Sequence, residues 1–532
     1  MNNTVRAISL LYQIGLILTV VSLPFSNFGM SVASFWILGT WFIDQITSDA
    51  ASRRYRWAKA IGNPLFWILT GLFLIHLLGL IHTSDWDYAF RDIRKKLPLI
   101  LFPVVMFTGR AIEGVSFRRM WVFFVLACSA AALICLAIPF GIWDKEYTNI
   151  RSISVFISHI RFSILLVFAT AVLLLWISER RKIALSIALI AINILFLWVI
   201  ESLTGTILIM VVGFLFLISG EASFLSKPVR KFLRVSFPIA VAGLVTAISY
   251  LAYDYFKLDD TYTEELEVYA PSGEAYFHSK DLTMRENGHF IWRYIAWGEM
   301  QQAWNGRSTI DLDSTDHRGQ VLKGTLVRYL ASKGLRKDAN GVAQLSDHDI
   351  GLVESGVATV LELEHSGLRR RLDKIFFEIS NVANGGNPSG NSITQRLEFW
   401  KAAQHIIEGN TLFGVGTGDV KTEFVQAYIE IDTKLDEQYR LRAHNQYLTF
   451  WIAFGLLGVL LLVAVILMPL GVAGTDRGFL FTTFCVLVAL SFMTEDTLET
   501  QAGVTFFAFF SALFASQKLA FHSRIRSATS ST

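Results

Sequence analysis

Residues 446–470 read QYLTFWIAFGLLGVLLLVAVILMPL, 25 positions without one charged side chain. Crossing about 30 Å of hydrocarbon takes about 20 such residues, as a helix, because a lone segment satisfies its backbone there in no other way. This segment is a membrane span, and similar runs flank it on both sides. Working outward, the other candidates are 6–23, 27–45, 63–82, 97–108, 119–140, 154–177, 182–200, 203–219, 235–253, 478–494 and 501–519. The first has the length of a signal peptide, yet only Arg6 precedes it and eleven spans follow, so it is read as retained. The fold class is an all-α polytopic membrane protein with about 12 transmembrane helices.

Composition agrees. Apolar residues make up 53% of the 532 positions and charged ones 17%, against about 25% charged in an ordinary soluble protein. The charges are segregated, since residues 254–441 hold 49 of the 91 Asp, Glu, Lys and Arg side chains. The chain therefore divides into 1–253 with helices 1–9, a mostly helical loop or cap at 254–441, 442–519 with helices 10–12, and a tail at 520–532. A net charge of +3 and the absence of a basic block with interleaved aromatics exclude a nucleic-acid partner. Cys128, Cys135 and Cys485 all fall in apolar runs, so the cap has neither a disulfide nor a CxxC metal spacing.

Orientation follows from Lys and Arg in the short connections. One side, with both termini, carries nineteen: Arg6, Arg53, Arg54, Arg56, Lys59, Arg110, Arg118, Arg119, Arg180, Arg181, Lys182, Lys227, Arg230, Lys231, Arg234, Arg477, Lys518, Arg524 and Arg526. The other carries six, of which Arg91, Arg94, Lys95 and Lys96 crowd one connection, where they snorkel or attract an anionic headgroup. Both termini are expected in the cytoplasm and the loop outside, in the periplasm if the membrane is a bacterial inner membrane.

Several chemistries are excluded by missing motifs: there is no GxxxxGK[ST], no HExxH and no GxSxG. GVGTG at 414–418 follows a helical pattern and reads as a turn. Asp311-x-Asp313 has the form of a metal-binding pair, but it stands in a polar external loop and is read as no metal site. Ser392-x-x-Gln395 reads as a capping box, followed by a stripe at Leu397, Trp400, Ala403 and Ile407 and a stop at Gly409. Arg396 and Trp400 then lie one turn apart. Arg161 falls seven residues inside the 154–177 run, where a guanidinium needs a snorkel path or an anionic partner such as Glu201 or Glu495. His444 precedes the 446–470 span, at the membrane surface, where a near-neutral imidazole is a polar cap or a proton acceptor.

RLEFWKAAQHIIEGNTLFGVGTG at 396–418, followed by HNQYLTFWIAFGLLG at 444–458, resembles the signature region of the O-antigen ligase and polymerase superfamily. An Arg before a Trp, a GxG turn, and His-Asn-x-x-Leu entering a Gly-rich helix make up that signature. ENGHFIW, LVRYLASKGLRKDANGV and TEDTLETQAG look like the Bacteroidetes version of the family. The resemblance implies a GT-C-type glycosyltransferase that moves a glycan from undecaprenyl diphosphate to an acceptor such as lipid A-core, with no cofactor and no required metal. It places the family's loop Arg at Arg396 and its mechanistic His at His444, with Trp400, Arg442 and Asn445 beside them toward diphosphate or glycan. A further family Arg opens a span; the matching stretch here is Ser202-Leu203-Thr204-Gly205, and Arg161 in SHIRFS is the candidate substitute. The Arg fork suits a departing diphosphate, and the polyprenyl tail suits a membrane fold. The rival readings are an O-antigen polymerase, a protein O-oligosaccharyltransferase, a lipid-linked glycan transporter and a scaffold protein. A transporter would need charges lining a route through the bundle, whereas those here cluster at its ends.

Overall fold

The computed structural model describes residues 3–110, 114–147, 150–257, 266–279, 281–365, 367–471 and 478–516. Arg477, Lys518, Arg524, Arg526 and the tail 520–532 lie outside the described residues. The structure is 70% helical, and its one sheet among the described residues is the antiparallel pair Arg285–Glu286 and His289–Phe290. The chain forms two compact units, one of Met1–Phe237, Phe399–Thr433 and Arg440–Thr532, the other of Pro238–Glu398 and Lys434–Tyr439.

In the first unit the apolar runs are helices. Among the described residues six helices are long and apolar enough to cross a membrane, and four more are apolar but shorter. Bare rings stand on outer faces, with Phe28 79% and Phe35 68% exposed on the helix Asn27–Thr47 and Trp198 66% on Ile183–Val199, a surface suited to lipid rather than water. Gln501–Ser516 is central, buried from Ala502 to Ala515. Phe506, Phe510 and Phe514 pack there with Trp121, Phe124, Phe168 and Phe484. Buried polar groups find one another: Ser129 donates to Asn193 at 2.9 Å, and Asn193 to Thr170 at 3.3 Å.

The span quoted first is helical from Gln446 to Gly471 but broken at Gly455, with φ 63° and ψ −154°. The break faces the GVGTG turn. Val415 N donates to Ile452 O, Gly416 N to Ala453 O, and Leu456 N to Thr411 O, at 2.8–3.0 Å. A Cβ on Gly455 would stand 2.1 Å from Leu412 O, so only glycine lets the two backbones meet.

Two expectations about helix starts are corrected. Residues 154–158 are not helical: Ser154 Oγ donates to Ile157 O at 2.7 Å, and the helix runs His159–Ser178. The local serine bond competes with helix formation, and Arg161 therefore sits in a first turn rather than seven residues deep. Nor does Ser392 form a capping box. Its hydroxyl accepts from Arg371 at 2.5 Å, Gln395 N donates to Asn391 O, and the helix begins at Thr394. That helix buries Phe399, Ala402, Ala403 and Ile406, leaving Leu397 and Trp400 exposed.

The second unit has its own core, where Trp304, Leu326, Tyr329, Leu330 and Ile291 pack among the short helices Trp297–Asn305, Leu322–Ser332 and Asp347–Glu354. Ser346 and Asp349 cap the last of these reciprocally. Asp313 accepts from Lys323 and Gln301, bonds that hold its carboxyl below the usual range, and Asp311 accepts from Asn305.

Candidate functional site

The site is assembled in the first unit, where the strand of chain before helix Gln446–Gly471 meets the connection between Phe479–Thr494 and Gln501–Ser516. Asp496, buried, accepts from the backbone N–H of His444 and of Asn445, each at 3.1 Å, and from the Thr449 hydroxyl at 2.7 Å. Burial raises its carboxyl above the ordinary range. These bonds hold His444 in the left-handed region, at φ 47°, a conformation that costs about 1–3 kcal/mol outside glycine. Asn445 is the helix cap, its Oδ1 accepting from Tyr447 N and Leu448 N and its Nδ2 donating to Met493 O.

The backbone so fixed aims the imidazole. Its ring stacks on Phe399 with centroids 5.6 Å apart, and Nδ1 points at Glu495 Oε2 from 3.6 Å, just beyond hydrogen-bond length. The same Glu495 oxygen lies 4.0 Å from Arg161 Nη2. Arg161 is mostly buried and its Nε makes no hydrogen bond among the described residues, so the fork keeps donors for another anion. Trp400 donates to Ala443 O at 3.0 Å, bracing the same loop. Arg161, His444, Asn445 and Trp400 are thus brought around one loop. Arg396 belongs to the second unit, where Nη1 donates to Ser392 O at 3.3 Å.

Arg442 turns into a buried ionic chain. Its Nη1 donates to Glu499 Oε2 at 2.7 Å, and Lys96 Nζ donates to Glu499 Oε1 at 2.6 Å and to Leu498 O at 2.5 Å. Lys96 is also 3.7 Å from Asp92, whose other oxygen is 4.0 Å from His76 Nε2. Burial opposes ionisation of Glu499, but Lys96 and Arg442 outweigh it and hold that carboxyl low; burial leaves Asp92 high. Asp92, Glu499, Arg442, His76, Thr417 and Thr449 line a cavity of about 10 Å³, room for one water.

The glycine turn closes this side. Thr417 N donates to Gly79 O at 3.1 Å and Thr417 Oγ1 to His76 O at 2.7 Å, while Asp419 accepts from Ser84 N, Ser84 Oγ and Asp85 N. A Cβ on Gly418 would meet Asp85 O at 2.3 Å.

The O-antigen ligase family model matches residues 353–463. That stretch is similar to an O-antigen ligase domain. Within it lie Arg396, Trp400, Arg442, His444 and Asn445, and the ligase and polymerase enzymes of this family act on lipid-linked glycans. Comparison with curated proteins gave no match. Outside the matched stretch lie the groups that hold or face its histidine, Arg161, Glu495 and Asp496, together with Lys96 and Glu499. Sequence reading raised Glu495 only as one partner for Arg161 and passed over Asp496, Glu499 and Asp92. The signal for Asp496 and Glu499 was the acid cluster TEDTLE directly after an apolar span, since carboxylates at that depth are expensive unless paired.

Proposed function

We propose that the protein is an O-antigen ligase of GT-C type, which moves a glycan from undecaprenyl diphosphate to a lipid A-core hydroxyl at the periplasmic face of the inner membrane. The observation that carries this reading is the Glu495 carboxylate between two of the required groups, 3.6 Å from His444 Nδ1 and 4.0 Å from Arg161 Nη2. Glu495 favours the Nδ1–H tautomer, leaving Nε2 to accept a proton. The acceptor oxygen bonds to the anomeric carbon as the bond from that carbon to the diphosphate breaks, and the hydroxyl proton passes to Nε2. The leaving pair of electrons stays on the diphosphate, whose growing charge the Arg161 fork stabilises in a partly desolvated site. Arginine supplies the positive charge, so no metal is required. Arg396 enters the proposal through the sequence resemblance, not through geometry, and its planar fork is the reason Arg396→Lys should recover little.

Purified protein in nanodiscs, given carrier-linked glycan and lipid A-core, tests the proposal by product. Glycosylated lipid A-core is expected, unaffected by chelators. His444→Ala should lower turnover roughly 10²–10⁴-fold with membrane insertion unchanged. Product built on the carrier would make the protein a polymerase, and near-normal turnover in His444→Ala would remove the general base.

A further inference from the structure

The connection between the Pro64–Leu78 helix, extended by the turn Gly79–His82, and the Pro98–Thr108 helix is itself the helix Trp86–Lys96. A helix of this composition in a water-facing loop would turn its apolar stripe inward. This one is reversed. Asp92 and Lys96, one turn apart, point into the protein at 5% and 0% exposure, where Lys96 is bound to Glu499 and Leu498. Trp86, Phe90 and Leu97 face outward at 47%, 60% and 43% exposure, and the Trp86 and Phe90 rings touch with centroids 5.7 Å apart.

At 3.6 residues per turn Trp86, Phe90, Ile93 and Leu97 share one stripe, Arg94 borders it, and Arg91 and then Lys95 lie successively farther round the helix. Arg91 and Arg94 are exposed and Lys95 partly so, and none of the three makes a hydrogen bond or ion pair among the described residues. Asp87 is the one acid on this outer face, leaving an excess of two positive charges on it. Charges buried and rings exposed is an arrangement that water penalises on both faces. It is the arrangement of a helix lying in a headgroup layer, with its rings at the acyl boundary and its cations at the level of the phosphates. The Lys96 bonds pin the helix to the bundle, so the cations are presented in a fixed array.

We propose that Trp86–Lys96 is an interfacial helix that holds an anionic phospholipid, its phosphate on Arg91, Arg94 and Lys95 and its acyl chains along Trp86, Phe90 and Leu97. The phosphate recognition is that of any phosphodiester; the ring stripe makes the ligand a lipid rather than a free anion. Nothing in this depends on the transferase reading, and no glycan enters the test.

Native mass spectrometry of the detergent-solubilised protein, given equal phosphatidylglycerol and phosphatidylcholine, measures it. The wild type is expected to retain phosphatidylglycerol at least five-fold over phosphatidylcholine, since one cation alone is worth about that factor at a membrane surface. Arg91→Gln with Arg94→Gln and Lys95→Gln should erase the preference, while Arg91→Lys with Arg94→Lys should keep most of it. Trp86→Gln with Phe90→Gln should lower retention of both lipids. Equal retention by the wild type, an unchanged preference in the triple variant, or displacement of the lipid by millimolar inorganic phosphate would each overturn the proposal.

Discussion

Arg161 and Leu203 stand in the first turns of two helices, and the Ser163 and Ser202 hydroxyls join those turns by a 3.0 Å hydrogen bond. That bond gives the missing family arginine a physical test. Arg161→Ala should lower transfer by about two to three decades, the usual loss when a charge partner leaves a partly buried phosphate. Leu203 is 37% exposed, so Leu203→Arg can be accommodated, and Arg161→Ala with Leu203→Arg should regain part of the rate in the same product assay. Full activity in Arg161→Ala would show that the arginine serves Glu495 alone. His444 and Arg161 were legible because a titratable or charged side chain at a span end is conspicuous in any apolar sequence. Asp496 was not, since its work is to accept two backbone N–H groups, and no residue pattern records which amides a distant carboxylate will meet.

Elements tell the same story at larger spacing. The apolar runs announced the helices, because lipid-facing stripes cannot be hidden in a sequence. The starts of helices His159–Ser178 and Thr394–Gly409 were misread because hydroxyls at Ser154 and Ser392 took other partners. The break at Gly455 was illegible for another reason: glycine is ordinary within membrane helices, and only residues 411–416, more than thirty positions away, require it here. Gly455→Ala should force a left-handed alanine against Leu412 O, and the strain of such a residue alone costs about 1–3 kcal/mol. A lowered unfolding midpoint in detergent is expected, together with weakened transfer, because the same backbone contact seats the GVGTG turn against the cavity. Gly243→Ala, where a Cβ meets nothing within 4 Å, supplies the comparison. Equal midpoints for the two variants would mean that the break is not tied to the turn.

For the whole molecule, the nineteen-to-six charge asymmetry predicts an orientation that labelling can test. Cys128 and Cys135 are buried and Cys485 partly so, which keeps the background low. Cysteine at Ser314, an exposed position of the second unit, should react with an impermeant thiol reagent in spheroplasts, and cysteine at Ser226, exposed in the first, should not. The reverse pattern would put the proposed site in the cytoplasm.

The pairing of Lys96 with Glu499 joins positions 403 residues apart. At a synthesis rate of about 5–20 residues per second, Lys96 is made roughly 20–80 s before the carboxylate that neutralises it. For that interval the ammonium has only Asp92, one turn back on its own helix, as an anionic partner, and burying it with so little compensation is costly. The helix Trp86–Lys96 is therefore expected to dock only when the final two spans arrive. Ribosome-bound chains cut short before residue 499 would hold every element of the N-terminal half and still lack the docked form of the helix that borders the site. One ion pair thus ties the docking of this helix to the arrival of the last spans.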